Sequence, residues 1–134
     1  MNLKDCHNFS DFRKLAKKKL PSPIFHYIDG GADDESTLRR NTESFNGCDL
    51  VPNILASVGK PDLSITLLGK KIEMPIFLSP AAMQRLYLYA LAAGGQAGVE
   101  RAIEKYKAEL VRDMKLMGCT KISDLNRDNL RFRK

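Results

Sequence analysis

Residues 74–87 decide the fold class of this chain, and they read Met74-Pro75-Ile76-Phe77-Leu78-Ser79-Pro80-Ala81-Ala82-Met83-Gln84-Arg85-Leu86-Tyr87. The apolar run at residues 76–78 is continuous, which is typical of a strand covered on both faces in a parallel sheet. The next four residues carry little side-chain bulk, so their backbone can approach a flat ligand closely. An ordinary core strand that ends in a proline turn explains the stretch equally well.

Length and composition indicate a single globular domain. The chain has 134 residues, with 43% hydrophobic and 28% charged residues. This length can bury a core, but it is about half of the roughly 250 residues of a complete (β/α)8 barrel. No apolar run approaches the roughly 20 residues of a membrane span, and polar residues interrupt the N-terminus where a signal peptide would need an apolar segment. We therefore expect a cytoplasmic protein, and a peripheral position on the inner membrane stays open.

Neither a metal site nor a nucleic-acid site is predicted. The three cysteines, Cys6, Cys48 and Cys119, lie far apart and form no CxxC pair, so we expect reduced thiols. Two histidines, His7 and His26, are too few for an HExxH motif. The net charge is +6, but basic residues are mostly interspersed with acidic ones. The dense run at residues 17–19 is explained by the solvated end of a helix.

The chain begins with three predicted helices. Asn8 or Ser10 can cap the first, whose apolar residues recur at helical spacing until Pro21. Ser22 and Pro23 start a second helix that Gly30-Gly31 ends. Asp33 or Asp34 can cap a third helix that ends near Gly47.

Strands and one long helix follow. Alternating apolar residues at 63–67, a turn at Leu68-Gly69 and a return at 71–73 predict a β-hairpin, with the buried strand at residues 75–78 after it. A long amphipathic helix is predicted next, and Gly118 is placed to end it. We expect its face of Val99, Ile103, Tyr106 and Leu110 to pack against the hairpin or the first helices.

Several motifs together resemble one family, the FMN-dependent 2-hydroxy-acid oxidases and dehydrogenases, such as glycolate oxidase and the flavin-linked L-lactate dehydrogenases. The resemblance rests on Lys19-Leu20-Pro21, Tyr27-Ile28-Asp29-Gly30-Gly31-Ala32-Asp33-Asp34-Glu35-Ser36-Thr37-Leu38, Leu68-Gly69 and the stretch from Met74 to Gln84. Residues 91–100 and the run from Met114 to Leu125 look like the last barrel helix and C-terminal tail of the same family.

The resemblance implies a flavoprotein oxidoreductase that converts a 2-hydroxy acid, such as L-lactate or glycolate, to a 2-oxo acid with FMN. Tyr27 matches the tyrosine whose hydroxyl binds the substrate carboxylate, although a core-edge tyrosine on a short helix is the structural alternative. Pro80, Ala81 and Ala82 match the loop whose backbone contacts the flavin ring. A loop of small residues suits that role, because a flat ring needs close backbone approach.

The same resemblance implies that the centre of the barrel is absent. Residues 83–87 should lead into further strand and helix units that supply the catalytic histidine, arginines and lysine, but they run directly into the family's last helix. We place the junction near Tyr87 and Leu88, the result of an internal deletion, a mis-assembled gene or a deliberate shortening. No catalytic residue is assigned, since neither histidine can be given the role of the base, and Arg85 is either a surface arginine or an anion ligand.

The resulting fold class is an α+β fragment of a (β/α)8 TIM barrel. N-terminal helices, a β-hairpin and the first barrel strand are joined directly to the last barrel helix and the tail. Three segments are predicted: helices at 1–47, hairpin, first strand and flavin loop at 48–87, and last helix with tail at 88–134. As an isolated chain it is expected to be inactive and to associate with itself through exposed strand edges. A non-catalytic helical module that binds a full-length relative is the alternative function.

Overall fold

The computed structural model describes residues 1–77 and 85–133. Its helices are α1 (Phe9–Lys19), α2 (Ser22–Asp29), α3 (Ser36–Glu43) and α4 (Arg85–Met117), and its strands are β1 (Cys48–Leu50), β2 (Ile65–Leu67), β3 (Lys70–Ile72) and β4 (Leu130–Phe132). Short 3-10 turns lie at Leu3–Asp5, Ser44–Gly47, Ile122–Asp124 and Arg127–Asn129. The described residues thus form an α+β fold, and their strands close no barrel.

Local capping explains where the helices begin and end. The side chain of Asn8 accepts a hydrogen bond from the backbone N–H of Asp11 and so caps α1. Gly118, with φ of +74°, ends α4 in a Schellman motif: its N–H donates to the carbonyl of Lys115, and the N–H of Cys119 donates to that of Met114. The predicted roles of Asn8 and Gly118 are confirmed.

Helix α4 is broken at Gly94 and Gly95, whose backbone angles are not helical. Gly95 has a φ of +58°, which favours glycine. A Cβ built at Gly98 would overlap the carbonyl oxygen of Ala90. In a straight helix these residues would be about 12 Å apart, so the two parts of α4 fold sharply towards each other at the break.

The chain divides into two compact units. The first unit comprises Met1–Ala32 and the described part of Leu78–Tyr106, and the second comprises Asp33–Phe77 and the described part of Lys107–Lys134. The core of the first unit consists of buried residues from α1, α2 and α4 with Cys6, namely Cys6, Phe12, Leu15, Ala16, Phe25, Tyr89, Ala90, Ala93 and Ala102. The core of the second unit consists of Leu63, Met114, Met117 and Cys119. The three segments predicted from the sequence, 1–47, 48–87 and 88–134, are defined by family resemblance. The two units are defined by packing, so the three segments stay a prediction.

Both sheets of the second unit are two-stranded and antiparallel. β2 and β3 form the predicted hairpin, with Ile65 opposite Ile72. Its turn residues, Leu68 and Gly69, both have positive φ, as a two-residue hairpin turn of type I′ requires. β1 pairs with β4, with Cys48 opposite Phe132 and Leu50 opposite Leu130.

The predicted buried strand at residues 75–78 is wrong for the part that the structure describes. Residues 75–77 form no strand, and Ile76 and Phe77 are 37% and 59% exposed. Leu78 lies outside the described residues. A strand covered on both faces needs hydrogen-bonded neighbours, and no described strand pairs with this segment.

The predicted apolar face of the long helix is only partly correct. Val99 packs against the core of the first unit and Leu110 against that of the second, whereas Ile103 and Tyr106 are 39% and 44% exposed.

Within the described residues, no helix combines the length and the apolar character that crossing a membrane requires.

The close approach at Gly98 gives a stability prediction. In Gly98→Ala the new methyl group meets the backbone of Ala90, and because a backbone cannot rotate away we expect a loss of about 1–3 kcal/mol in the free energy of unfolding. Urea unfolding followed by circular dichroism measures it. The control is Gly47→Ala, where a Cβ meets nothing within 4 Å. Equal stability of Gly98→Ala and wild type would contradict the fold at the α4 break.

Candidate functional site

Tyr27, the predicted substrate-binding residue, lies on α2 with its side chain 77% exposed. Phe25 and Ile28 on the same helix pack into the core of the first unit. Tyr27 is about 200° around the helix from Phe25, since successive residues turn by about 100°. The packing of Phe25 therefore directs Tyr27 outward. The core-edge alternative for this tyrosine is wrong, and its role in substrate binding stays a prediction.

Residues of the predicted flavin loop, Pro80, Ala81 and Ala82, lie outside the described residues. Their contact with FMN likewise stays a prediction.

The polar centre of the first unit is the Asp29 cluster, which we define as Arg13, Asp29, Tyr89 and Arg85. Tyr89 is fully buried, and its hydroxyl donates to Asp29 Oδ1 at 2.6 Å. Arg13 donates through Nε and Nη2 to the two carboxylate oxygens, each at 2.5 Å. Arg85 Nη2 donates to the carbonyl oxygen of Gly30 at 2.5 Å, at the end of α2. The cluster joins α1, α2 and α4.

Aromatic rings surround the Tyr89 side chain. The ring of Phe9 meets it edge-on with centroids 5.4 Å apart, and the ring of Phe25 stacks on it at 6.1 Å. Arg13 and Lys17 each place their charge 5.8 Å from the centroid of Phe25. Such aromatic pairs add roughly 0.5–1.5 kcal/mol beyond the area that they bury. Tyr89 therefore belongs at once to the apolar core and to the polar cluster.

Hydrogen bonding and burial set the protonation states of the cluster. The hydrogen bonds from Arg13 lower the pKa of Asp29, outweighing the opposing effect of burial, and the bond from Tyr89 adds to them. Burial, and then the bond to Asp29, raise the pKa of Tyr89 to about 12. At neutral pH Asp29 is thus an acceptor and Tyr89 a donor. At this pH the carboxylate of Asp29 is therefore charged and the hydroxyl of Tyr89 is neutral.

Both histidines lie in the first unit, and neither is a member of this cluster. His7 Nδ1 is 3.2 Å from the Nζ atom of Lys105, and the ring of His26 meets the edge or face of Phe25 with centroids 5.8 Å apart. Neither contact brings an imidazole to Tyr27. Arg85, which sequence alone left between a surface residue and an anion ligand, is partly buried and bound to the backbone of Gly30.

The described residues do not by themselves fit FMN. In a (β/α)8 barrel the site is built from loops at the C-terminal ends of the strands, and residues 75–77, which precede the predicted loop, form no strand. Tyr27, which would face the substrate beside the ring, is mostly in solvent.

Two matches to the model of the FMN-dependent dehydrogenases cover residues 16–87 and 84–132. These residues include most of the chain, so the chain belongs to the FMN-dependent dehydrogenase family. The resemblance found in the sequence is confirmed, and with it the dependence of the family on FMN. The two matches overlap at residues 84–87.

Individual relatives support the same family. The chain is 43% identical over 95 residues to an L-lactate dehydrogenase of Xanthobacter autotrophicus. This alignment covers 67% of this chain and 24% of that protein. It is 46% identical over 79 residues to glycolate oxidase 1 of Oryza sativa subsp. indica. That alignment covers 59% of this chain and 21% of the oxidase. The chain thus spans about a quarter of the length of the curated relatives that it matches.

Solved structures agree with these relatives. An active mutant of (S)-mandelate dehydrogenase in its oxidised form superimposes with a TM-score of 0.54 and 30% identity, over 69% of this chain and 24% of that one. A protein described as a lactate oxidase of Pediococcus acidilactici gives a TM-score of 0.53 and 34% identity, over 62% of this chain and 23% of that one.

The interaction between Tyr89 and Asp29 gives a second stability prediction. Tyr89→Phe removes one hydrogen bond to a carboxylate, which costs about 1.5–3 kcal/mol. Asp29→Asn breaks the ion pair with Arg13, a half-exposed side chain, so we expect about 1 kcal/mol or less from that pair. Because Asp29→Asn leaves only a neutral amide oxygen to accept from Tyr89, the hydrogen bond is weaker in that background, and the double variant should lose less than the sum. Strict additivity in urea unfolding would show that the two residues do not interact.

The lowered pKa of Asp29 predicts that the stability of the fold depends on pH. A carboxylate whose pKa is lower in the folded chain stabilises the fold above its unfolded pKa of about 3.9, and this stabilisation is lost as pH falls through the folded value. The stability difference between wild type and Asp29→Asn should therefore be full at pH 7 and shrink below about pH 4. Asp33→Asn, at an exposed position, is the control and should change stability by less than about 0.5 kcal/mol.

Proposed function

We propose that this chain is a shortened FMN-dependent 2-hydroxy-acid oxidoreductase that is inactive on its own. The family reaction is the oxidation of a 2-hydroxy acid, such as L-lactate or glycolate, to the 2-oxo acid, with FMN taking the electrons. The observation that carries the proposal is the match of residues 16–132 to the family, in a chain whose alignments cover only about a quarter of the relatives' length. A cytoplasmic location is part of the proposal.

Two observations support the shortened form. The family matches overlap at residues 84–87, where the sequence passes from one matched segment to the other. The segment before the predicted flavin loop is exposed and unpaired, as expected when strands that would cover it are absent. We propose that the two family segments join near Tyr87 and Leu88, next to this overlap.

Visible spectroscopy tests the inactivity of the chain. After incubation with excess FMN and gel filtration, we expect no flavin absorbance with the protein and no bleaching on addition of L-lactate or glycolate under anaerobic conditions. The L-lactate dehydrogenase of Xanthobacter autotrophicus, treated in the same way, is the positive control. Retained flavin that bleaches with either acid would overturn the proposed inactivity.

Restoring the centre of the barrel tests the site residues. We propose that Tyr27 binds the substrate carboxylate and that Pro80, Ala81 and Ala82 face the flavin. The segment of the Xanthobacter autotrophicus relative that lies between the two matched regions is inserted at residues 84–87, and the product should hold FMN and oxidise L-lactate. In that protein Tyr27→Phe should raise KM about 10- to 100-fold, the value of one hydrogen bond to a charged group.

Tyr106→Phe is the matched control, since Tyr106 is also a partly exposed helical tyrosine. It should leave KM unchanged. A restored protein that holds FMN and whose KM is the same with and without the Tyr27→Phe substitution would remove Tyr27 from the site. A restored protein that holds no FMN would instead contradict the junction.

We further propose that the chain associates with itself through the β1–β4 sheet. Opposite residues in an antiparallel pair point to the same face, so Leu50, Leu130 and Phe132 share one face, and Asp49 and Arg131 share the other. The three apolar residues are 47%, 39% and 70% exposed. Among the described strands neither β1 nor β4 has a second neighbour, and free edges of this kind pair readily with another chain.

Light scattering after gel filtration tests this surface. The wild-type chain should show an average molar mass that rises with protein concentration, because association between chains follows mass action. Phe132→Ser should shift that rise to a concentration several-fold higher. Arg131→Ser changes the opposite face of the same strand and is the control. A wild-type chain that stays monomeric at all concentrations would overturn the proposal.

A further inference from the structure

We draw no further inference here: the strongest candidate, the open groove of about 450 Å³ in the first unit lined by Leu3, Lys4, Ala97, Glu100, Arg101 and Glu104, sets two cations against two carboxylates, and nothing in the structure shows which ligand would fill it.

Discussion

The hydrogen bond from the buried hydroxyl of Tyr89 to Asp29 is the contact on which the first unit depends. The Tyr89 ring fills the core between Phe9 and Phe25, but a buried hydroxyl without a partner would cost several kcal/mol. Asp29 supplies the acceptor, and its carboxylate, 14% exposed, in turn requires the guanidinium of Arg13. Apolar packing and charge pairing are therefore coupled, because neither the ring nor the carboxylate could be buried alone.

This coupling also determines the direction in which Tyr27 projects from α2. α2 has eight residues, and isolated helices of that length are unstable in water, so its conformation depends on tertiary contacts. Phe25 in the core and Asp29 in the cluster supply these contacts on one side, which leaves Tyr27 on the other. Phe25 and Asp29 thus fix the orientation of the residue that is proposed to bind the substrate. Sequence reasoning missed this support, since Arg13 and Asp29 are 16 residues apart and belong to different helices, a spacing that carries no local signal.

What the sequence predicted correctly follows from local physical chemistry. Asn8 caps α1 and Gly118 ends α4 through bonds within a few residues, and the hairpin follows from its own turn and alternating pattern. The wrong predictions depended on distant partners. Residues 75–77 carry the apolar run of a buried strand, but a strand is buried only where neighbours exist. Ile103 and Tyr106 have helical spacing, yet they lie on α4 between Val99, which packs in the first core, and Leu110, which packs in the second, and each stays partly exposed.

In each unit, residues of the first family match pack against residues of the second. Asp29 meets Tyr89 in the first unit, and Leu63 shares a core with Met114 and Met117 in the second. In a closed (β/α)8 barrel the last strand and helix lie next to the first, so the two ends of the barrel are neighbours around the ring. Contacts between residues of the first match and residues of the second are therefore of the kind that such a barrel makes where its ends meet. Contacts of this kind need only the two ends of the barrel, and not the strand and helix units between them.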